Sequence, residues 1–557
     1  MGRPAASHPR RGAGALPWAP VLHMMAGGKG AGAPLCSTRM KQSHLIAVNT
    51  GIIWGTTVLQ MIPPLIMVPF LIKTIGESGY GQYVLIWSLF MAIEQLEISL
   101  QSGVIKYGAA FMAEDRTGEV NKVLSSTSAF SLALGALFGL AVAGGAFLHI
   151  QHSPEMTASL IMVALVMVFL VPTTPFLGII RAKQRHYYLA LAAIAAQFGG
   201  LGLAVLWFKL VRPSVEALIA ILAGAMLLSR LVQLPLAYRL VPGLQNRRRH
   251  FDRGIFRLVI SFGAMTVLSS LCMAANSAGM RWLSGLLVST KFVAHLAIFL
   301  MPSVILAQVV QAMTITVLPA ASAYHATENY EMLKELLLRA TRYIVLLVWA
   351  GLLAAVILVK GVLHVWLGPQ YEFLSIYVLI SLGGASVLVS ASGAHHMLKG
   401  FARLDKILRA YVIGLVVIPV AVFLGIYLVW KAPYAAIVAG LFLGNVTAGI
   451  LQLRDCAKAA RIKGLELAGH SFLQPSLAGA ASLLAALAVL ALTGTRAFGV
   501  QIAIAAVAIL IHFGAFYFFI ATPRERSELR GLVLMIRDKI AGLFWRRSTS
   551  LGGGAGV

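Results

Sequence analysis

The chain consists mainly of long apolar stretches separated by short polar segments. A helix needs roughly twenty apolar residues to cross the hydrocarbon core of a bilayer, and fourteen stretches approach or exceed this length. Their apolar residues are continuous and do not alternate with polar ones, so the pattern predicts helices and argues against a β-barrel. The predicted spans cover residues 45–72, 79–103, 123–148, 157–180, 187–209, 214–238, 256–280, 292–318, 342–366, 374–394, 408–430, 433–452, 474–494 and 498–521.

Composition supports the same conclusion. Hydrophobic residues make up 59% of the 557 residues and charged residues only 11%, which is too few polar side chains to cover a water-soluble surface. The three cysteines, Cys36, Cys272 and Cys456, share no spacing that predicts a disulfide or a metal site. The sequence therefore predicts an all-α membrane protein with about 14 transmembrane helices.

The basic residues orient the predicted bundle. The formal net charge of +26 would suggest a nucleic-acid partner in a soluble protein. Here, with the N-terminus inside, 36 of the 45 Lys and Arg residues fall on the inner side, eight fall on the outer side, and Arg230 lies within a span. The positive-inside rule then predicts cytoplasmic N- and C-termini in a bacterial inner membrane. Membrane lipids are expected partners and nucleic acid is not.

The spans also contain an internal repeat. Glu94 and Glu97 in the second span precede Gln308 and Gln311 in the eighth by 214 residues, with the same spacing within each pair. The run Arg181–Arg185 likewise resembles the segment that begins 218 residues later. Because six spans separate the copies, both insert in the same sense, as a parallel repeat.

This repeat predicts two six-helix lobes followed by two trailing helices. At the N-terminus we expect a disordered basic tail, with Met40 as an alternative start, and at the C-terminus a cytoplasmic tail with an amphipathic stretch on the lipid surface. The predicted segments are the basic tail 1–43, the N-lobe 44–250, the C-lobe 251–455, the trailing helices 456–523 and the cytoplasmic tail 524–557.

Ionisable residues within the spans are the main candidates for function, because burying each in the membrane costs roughly 2.5–3.5 kcal/mol. Glu94 and Glu97 lie in the second span, and Arg230 lies at a comparable depth in the sixth. One interpretation is that the carboxylates line a cavity and couple transport to a proton or sodium gradient. The alternative is a static ion pair between helices, or an Arg230 that snorkels to the interface.

Other polar residues within the spans, Gln308, Gln311, Asn49 and Asn276, are candidates for lining a substrate cavity. Such side chains bind a sugar or hold helices together, and the sequence leaves both roles open.

Further basic residues lie near span ends. Arg281 and Lys291, at the outer ends of the seventh and eighth spans, either meet a phosphate or anchor the interface, whereas His395 and His396 are interpreted as interfacial. No P-loop or Rossmann glycine motif is present, so we expect no cofactor and no ATP hydrolysis.

Several short motifs resemble those of a known family. Asn49, Pro69, Lys73 and the run Ile75–Gly81 are similar to the first helix and turn of the polysaccharide transporters. These are the O-antigen flippases of the multidrug/oligosaccharidyl-lipid/polysaccharide exporter superfamily. Further segments recur in the expected order, at 106–109, 181–185, 318–322 and 366–371.

The chain also departs from the family pattern. Asn276 stands where many members carry an Asp, and the usual Val-Gly-x-Tyr turn reads Val-Ala-His-Leu at 293–296.

The resemblance implies two lobes in a V around a central cavity. It implies a flippase, not an enzyme, that moves a polyprenyl-pyrophosphate-linked oligosaccharide for polysaccharide biosynthesis, with a polysaccharide polymerase as a further partner. On this hypothesis Glu94 and Glu97 couple to the ion gradient, while Arg230, Arg281 or Lys291 offset the diphosphate charge. A drug or cation antiporter of the same superfamily and a membrane glycan polymerase or ligase remain alternatives.

Overall fold

The computed structural model describes residues 35–149, 154–314, 317–494, 497–523, 525–527 and 530; within its helices, the side chains of residues 35–54, 57, 99, 148–149, 260–263 and 312 are not described. The N-terminal tail up to residue 34 and the amphipathic stretch beyond residue 530 lie outside the described residues. By its internal contacts the chain divides into Met1–Ile52 and Ile53–Val557. The helix packing and the site described below belong to the second unit.

The first half of the chain is built from six helices, and the described residues contain no strand. Apolar residues lie on all sides of many of these helices, which lack the polar face of a helix exposed to water. This is expected where lipid replaces water as the solvent. The helices are α1 (Leu35–Ala113), α2 (Thr117–His149), α3 (Pro154–Leu170), α4 (Thr174–Ala182), α5 (His186–Leu210) and α6 (Val215–Leu240).

The second half is also helical. Short π and 3-10 turns interrupt several of its spans, for example at Ala275–Gly279 and Pro369–Leu374. Its helices are α7 (Arg253–Ala274), α8 (Met280–Leu287), α9 (Thr290–Thr314), α10 (Val317–Ala326), α11 (Tyr330–Leu367), α12 (Ser375–Ser390), α13 (Ser392–Gly400), α14 (Leu404–Tyr411), α15 (Ile418–Trp430), α16 (Pro433–Ala459), α17 (Gly464–Leu467), α18 (Gln474–Thr493) and α19 (Phe498–Ala515).

The predicted number of spans is confirmed. Twelve described helical segments are long and apolar enough to cross a membrane, and the bent pair Arg253–Val259 and Ala264–Leu287 adds another. The first of the twelve, Val58–Ala113, has 56 residues; straight, it would measure about 84 Å, far more than the roughly 30 Å of hydrocarbon. It is divided at Gly76, whose φ of 73° suits only a glycine. Each predicted span therefore has a helical counterpart, and the chain is a multi-pass membrane protein.

The fourth and tenth spans are broken in the same way. The turn Val171–Thr173 separates α3 from α4, and Ala391 separates α12 from α13. Helices α4 and α13 both have nine residues, and the second follows the first by 218 residues. Gln184 and Ala402, which have the same offset, both adopt a positive φ. This match in backbone geometry supports the internal duplication.

The loops that follow α1, α4, α6, α10, α13 and α16 alternate with those of the other side. Together with the helix ends beside them, they carry most of the basic residues of the bundle, so this end is termed the basic end. At the opposite end, one apolar core combines both halves of the chain. Its fully buried members include Leu71 and Phe90 from α1, Leu218 from α6, Phe299 from α9 and Phe423 from α15.

At the basic end the apolar cores are separate. One contains Val123 and Ile179 of the first half together with Val259 of α7. Another contains Leu337, Ile407 and other residues of the second half only. The two halves therefore share their packing at the opposite end, and α7 connects them at the basic end.

The trailing helices α18 and α19 pack against α11. Trp349 donates a hydrogen bond of 2.8 Å to Ser476 Oγ, and His512 Nε2 lies 3.0 Å from the carbonyl oxygen of Leu346. Beyond α19, the buried Glu525 carboxylate accepts a hydrogen bond from Arg342. These contacts join the trailing helices and the segment after them to α11.

Candidate functional site

A buried ion pair joins the second and sixth spans. Arg230 Nη2 on α6 lies 2.8 Å from Glu97 Oε2 on α1. Glu97 is only 1% exposed and Arg230 only 9%. Removing two charges from water is costly unless each is well paired. An ion pair at this position within two spans is therefore a candidate functional site.

This pair is only partly satisfied by protein groups. Glu97 Oε1 and Arg230 Nη1 are buried and make no hydrogen bond with any residue that the structure describes. The same holds for Gln101 Oε1 and Gln233 Oε1, one turn from Glu97 and Arg230 on the same helices, and the Thr174 hydroxyl on α4 lies beside the Glu97 carboxylate. Buried polar atoms without a partner are rare and cost about 1–3 kcal/mol each. Because three of these four atoms are oxygens, the site has the chemistry to bind a proton or a hard cation.

Two further charged groups lie beside the pair. Glu94, one turn before Glu97, is half-buried and makes no hydrogen bond or ion pair with any described residue. Arg181, at the end of α4, is within electrostatic range of Glu94, Glu97 and Arg230. Two carboxylates and two guanidinium groups thus make a charge-balanced site, termed the N-half site.

Arg181 is not among the predicted site residues, because in the sequence it stands in a run of basic residues just after the fourth apolar stretch. Its spacing of seven residues from Thr174 places both side chains on one face of α4, two turns apart. That periodicity was the signal available in the sequence.

At the opposite end, Glu77 connects the two halves of the chain. Its carboxylate lies 2.8 Å from Lys291 Nζ and accepts a hydrogen bond of 2.6 Å from the Tyr371 hydroxyl. His295 Nε2 is 3.6 Å away, and His295 Nδ1 is 2.5 Å from the hydroxyl oxygen of Tyr434. These contacts, termed the Glu77 network, attach the turn after the first span to α9, the turn before α12, and α16.

Further contacts between the two halves close the same end tightly. Ser78 Oγ lies 2.7 Å from Thr290 Oγ1, and Trp366 Nε1 donates a hydrogen bond of 2.7 Å to the carbonyl oxygen of Leu65. A Cβ on Gly81 would lie 1.8 Å from the carbonyl oxygen of Thr290. The first and second halves can approach this closely only because residue 81 has no side chain.

The other predicted cavity residues lie elsewhere. The Gln308 and Gln311 side chains on α9 are exposed. Asn276 lies in the π turn after α7, with Oδ1 buried and without a protein partner. Asn49 is within α1, but its side chain is outside the described residues.

The two basic candidates near the opposite end have specific neighbours. Arg281 is half-buried near Tyr80, with Nε buried and without a partner. Lys291 belongs to the Glu77 network. No described contact joins Gln308, Gln311, Asn276, Arg281 or Lys291 to the Glu97–Arg230 pair.

An apolar cavity of about 340 Å³ lies next to the N-half site, near the lower limit of the size range of ligand pockets. Thr174 borders both. The described residues that line the cavity are Leu100, Val104, Thr127, Phe130, Ser131, Thr174, Pro175, Val259, Ala264, Val267 and Leu268. The cavity therefore lies between the second, third and fourth spans on one side and the bent seventh span on the other.

Comparison of the sequence with family models and with curated proteins gives no match. Solved structures do match. One is the inward-facing conformation of a multidrug resistance MATE family transporter of the MOP superfamily, with a TM-score of 0.59 and 16% identity over 73% of this chain and 94% of that one. Another is the lipid II flippase MurJ in an inward closed conformation, with a TM-score of 0.57 and 12% identity over 85% of this chain and 99% of that one.

A third match is a MOP superfamily transporter from Pyrococcus furiosus Vc1 (DSM3638), with a TM-score of 0.54 and 17% identity over 74% of this chain and 96% of that one. All three cover nearly the whole length of the solved chains, at identities that establish the fold alone. This chain therefore has the helical fold shared by MATE transporters of the MOP superfamily and the lipid II flippase MurJ.

Proposed function

We propose that the chain is a flippase that moves a polyprenyl-pyrophosphate-linked oligosaccharide across the bacterial inner membrane by ion-coupled alternating access. The observation that carries this proposal is the difference between the two ends of the bundle. Both halves share one apolar core and the Glu77 network at the opposite end, whereas their cores are separate at the basic end. A carrier that is open to the side with the basic loops, the cytoplasm by the positive-inside rule, has this arrangement.

Alternating access requires that the closed end can open at modest cost. The Glu77 network holds it with few polar contacts, and its ion pair with Lys291 is exposed, with 64% of the lysine side chain accessible. Exposed pairs contribute only about 0–1 kcal/mol. The polar contacts of this network therefore add little to the cost of opening, compared with the few kcal/mol that separate two populated conformations.

The N-half site supports coupling to an ion. Protonation of Glu97, or binding of a cation to its free oxygen, would weaken the attraction that holds Arg230 and with it the contact between α1 and α6. Glu94 is a second carboxylate, which makes no ion pair or hydrogen bond with another described residue and has Arg181 within electrostatic range. A site with free oxygens beside a buried charge pair can therefore convert ion binding into helix movement.

The first half of the bundle offers surfaces that suit both the polar and the apolar parts of the proposed substrate. A glycan and a diphosphate need a polar, partly cationic passage, while the prenyl chain needs an apolar path. The apolar cavity borders Thr174, so an apolar surface and a charged site are adjacent. The similarity of the fold to the lipid II flippase MurJ supports a lipid-linked substrate.

A drug or cation antiporter is the second candidate function. It is favoured by the similarity to the inward-facing MATE transporter and by the two carboxylates of the N-half site. The two functions differ in substrate, so transport assays with a lipid-linked glycan and with a cationic dye distinguish them.

The experiment compares the purified protein with Glu94→Gln/Glu97→Gln and with a control variant, Glu114→Gln, whose exposed carboxylate pairs only with Arg116 among described residues. Each is placed in proteoliposomes with a lipid-linked glycan and a proton or sodium gradient. We expect gradient-dependent flipping by wild type and control and its loss in the double variant. Unchanged gradient-dependent flipping in the double variant rejects the coupling role, and efflux of a cationic dye without glycan flipping favours the antiporter.

A further inference from the structure

The second half of the chain contains a cluster of basic groups at the basic end. His395, His396 and Lys399 follow one another on α13, and all three are half-buried. Among the described residues, no hydrogen bond or ion pair joins any of them to a carboxylate, and Lys399 makes neither kind of contact at all. The charged groups within electrostatic range of the two histidines are other members of the cluster.

The neighbours of these groups present hydrogen-bond donors. His395 Nδ1 lies 3.2 Å from Gln452 Oε1 on α16 and 3.2 Å from the Tyr411 hydroxyl oxygen on α14. Because the Gln452 oxygen is used in this contact, the amide Nε2 remains as a donor, and the Tyr411 hydroxyl is the group beside it. Gln452 is only 1% exposed. His396 Nδ1 is buried and makes no hydrogen bond with another described residue.

Stacking holds the histidines in place. The His395 ring stacks on Tyr411 with centroids 5.6 Å apart and meets the His396 ring edge-on at 5.5 Å. A set of donors that is fixed by packing loses little conformational freedom when it binds a ligand.

The internal duplication explains why this cluster lacks acids. Helix α13 corresponds to α4, so Lys399 corresponds to Arg181, which has Glu94 and Glu97 within electrostatic range. In the second half, the positions equivalent to these glutamates are Gln308 and Gln311. One copy of the repeat is thus charge-balanced, and the other has kept the basic group without its carboxylates.

We propose that this cluster, consisting of His395, His396, Lys399 and Gln452, binds the diphosphate group of a lipid-linked substrate. A half-buried lysine cation without a counter-ion is costly, and an anion that accepts hydrogen bonds from Lys399 and from an N–H of His396 offsets that cost. The cluster lies at the basic end, the cytoplasmic end by the positive-inside rule, which is the side on which such a lipid is made. The inference rests on the proposed function and names the group by which the substrate is held.

The experiment measures equilibrium binding of farnesyl diphosphate to the full-length protein in detergent. Lys399→Gln is expected to weaken binding by about tenfold or more, since it removes a charged donor. Lys399→Arg keeps the charge and is expected to retain most of the affinity. Arg403→Gln is the matched control, because this arginine is exposed and lies in the loop directly after α13.

Competition identifies the chemistry that is recognised. Inorganic pyrophosphate is expected to displace the probe, and phosphatidylglycerol is expected to do so much less well. Equal displacement by phosphatidylglycerol would mean a general phospholipid site and overturns the proposal. Equal binding by wild type and Lys399→Gln also overturns it, as does an equal loss in Arg403→Gln. His396→Gln serves as a second variant if Lys399→Gln does not fold.

The outcome is independent of the transport assay. Binding that depends on Lys399, in a protein that flips no lipid-linked glycan, would keep the diphosphate site and reject the proposed function. If the protein flips a lipid-linked glycan but its diphosphate binding does not depend on Lys399, the proposed function is kept and the diphosphate site is rejected.

Discussion

Among single residues, Glu97 and Arg230 combine charge, burial and incomplete hydrogen bonding most strongly. Each has one atom in the ion pair and one buried atom without a protein partner. A buried pair of this kind contributes little compared with two apolar residues, but losing one partner leaves an isolated charge in a medium of low polarity. The effects of substituting Glu97 and Arg230 on the free energy of unfolding should therefore not be additive.

Glu97→Gln is expected to lower the free energy of unfolding by about 3 kcal/mol, because Arg230 stays charged and loses its counter-ion. Adding Arg230→Gln should recover much of this loss, since no isolated charge then remains. Denaturant unfolding of the four proteins in detergent gives the interaction energy. Glu114→Gln is the control, with a change near zero, because this carboxylate is exposed and pairs only with the exposed Arg116 among the described residues. If the two single losses simply add in the double variant, the pair is not a coupled unit.

Sequence alone identified Glu97 and Arg230, because ionisable residues in the middle of an apolar run stand out. It assigned no role to Glu77, although Glu77 connects the two halves. This residue sits in a short polar turn between two spans, where a charge costs little, and its partners Lys291 and Tyr371 are 214 and 294 residues away. Local pattern contains no information about such pairings.

Among the helices, Gly81 decides how closely the second span approaches α9. Ordinary Cβ contacts lie beyond 3.4 Å, and a Cβ at this position would meet the Thr290 carbonyl oxygen at 1.8 Å. A backbone atom cannot rotate away as a side chain can. The helices would have to separate for any other residue to fit.

Gly81→Ala is therefore expected to open the end that carries the Glu77 network and to raise the reactivity of a cysteine introduced at Thr290. Labelling with a membrane-impermeant thiol reagent measures this. Gly144→Ala is the control, because an added Cβ there meets nothing within 4 Å. Equal labelling of the Gly81→Ala and Gly144→Ala proteins would show that this end is not closed by helix contact.

The fourteen spans could be predicted because each is a long apolar run. The breaks within them could be predicted only in part. Pro172 lies in the turn between α3 and α4 and is a local signal for that break. The equivalent break at Ala391 has no proline, and it becomes evident only by comparison of the two copies of the repeat.

In the whole molecule, the sequence predicted two lobes but not which end they share. The large apolar core at the opposite end combines residues from α1 to α16, and no single stretch of sequence reports such an assembly. The basic residues predicted the orientation of the helices, because this depends only on loop charge. The open or closed state of each end depends on contacts between distant helices, such as Trp366 with Leu65.

A disulfide across the closed end tests alternating access most directly. The side-chain oxygens of Ser78 and Thr290 are 2.7 Å apart, so cysteines at both positions are within reach of a disulfide. We expect oxidised Ser78→Cys/Thr290→Cys to lose flipping of a lipid-linked glycan in proteoliposomes and to regain it on reduction, while either single variant is unaffected by oxidant. Flipping at the same rate by the fully cross-linked and the reduced protein would contradict the account.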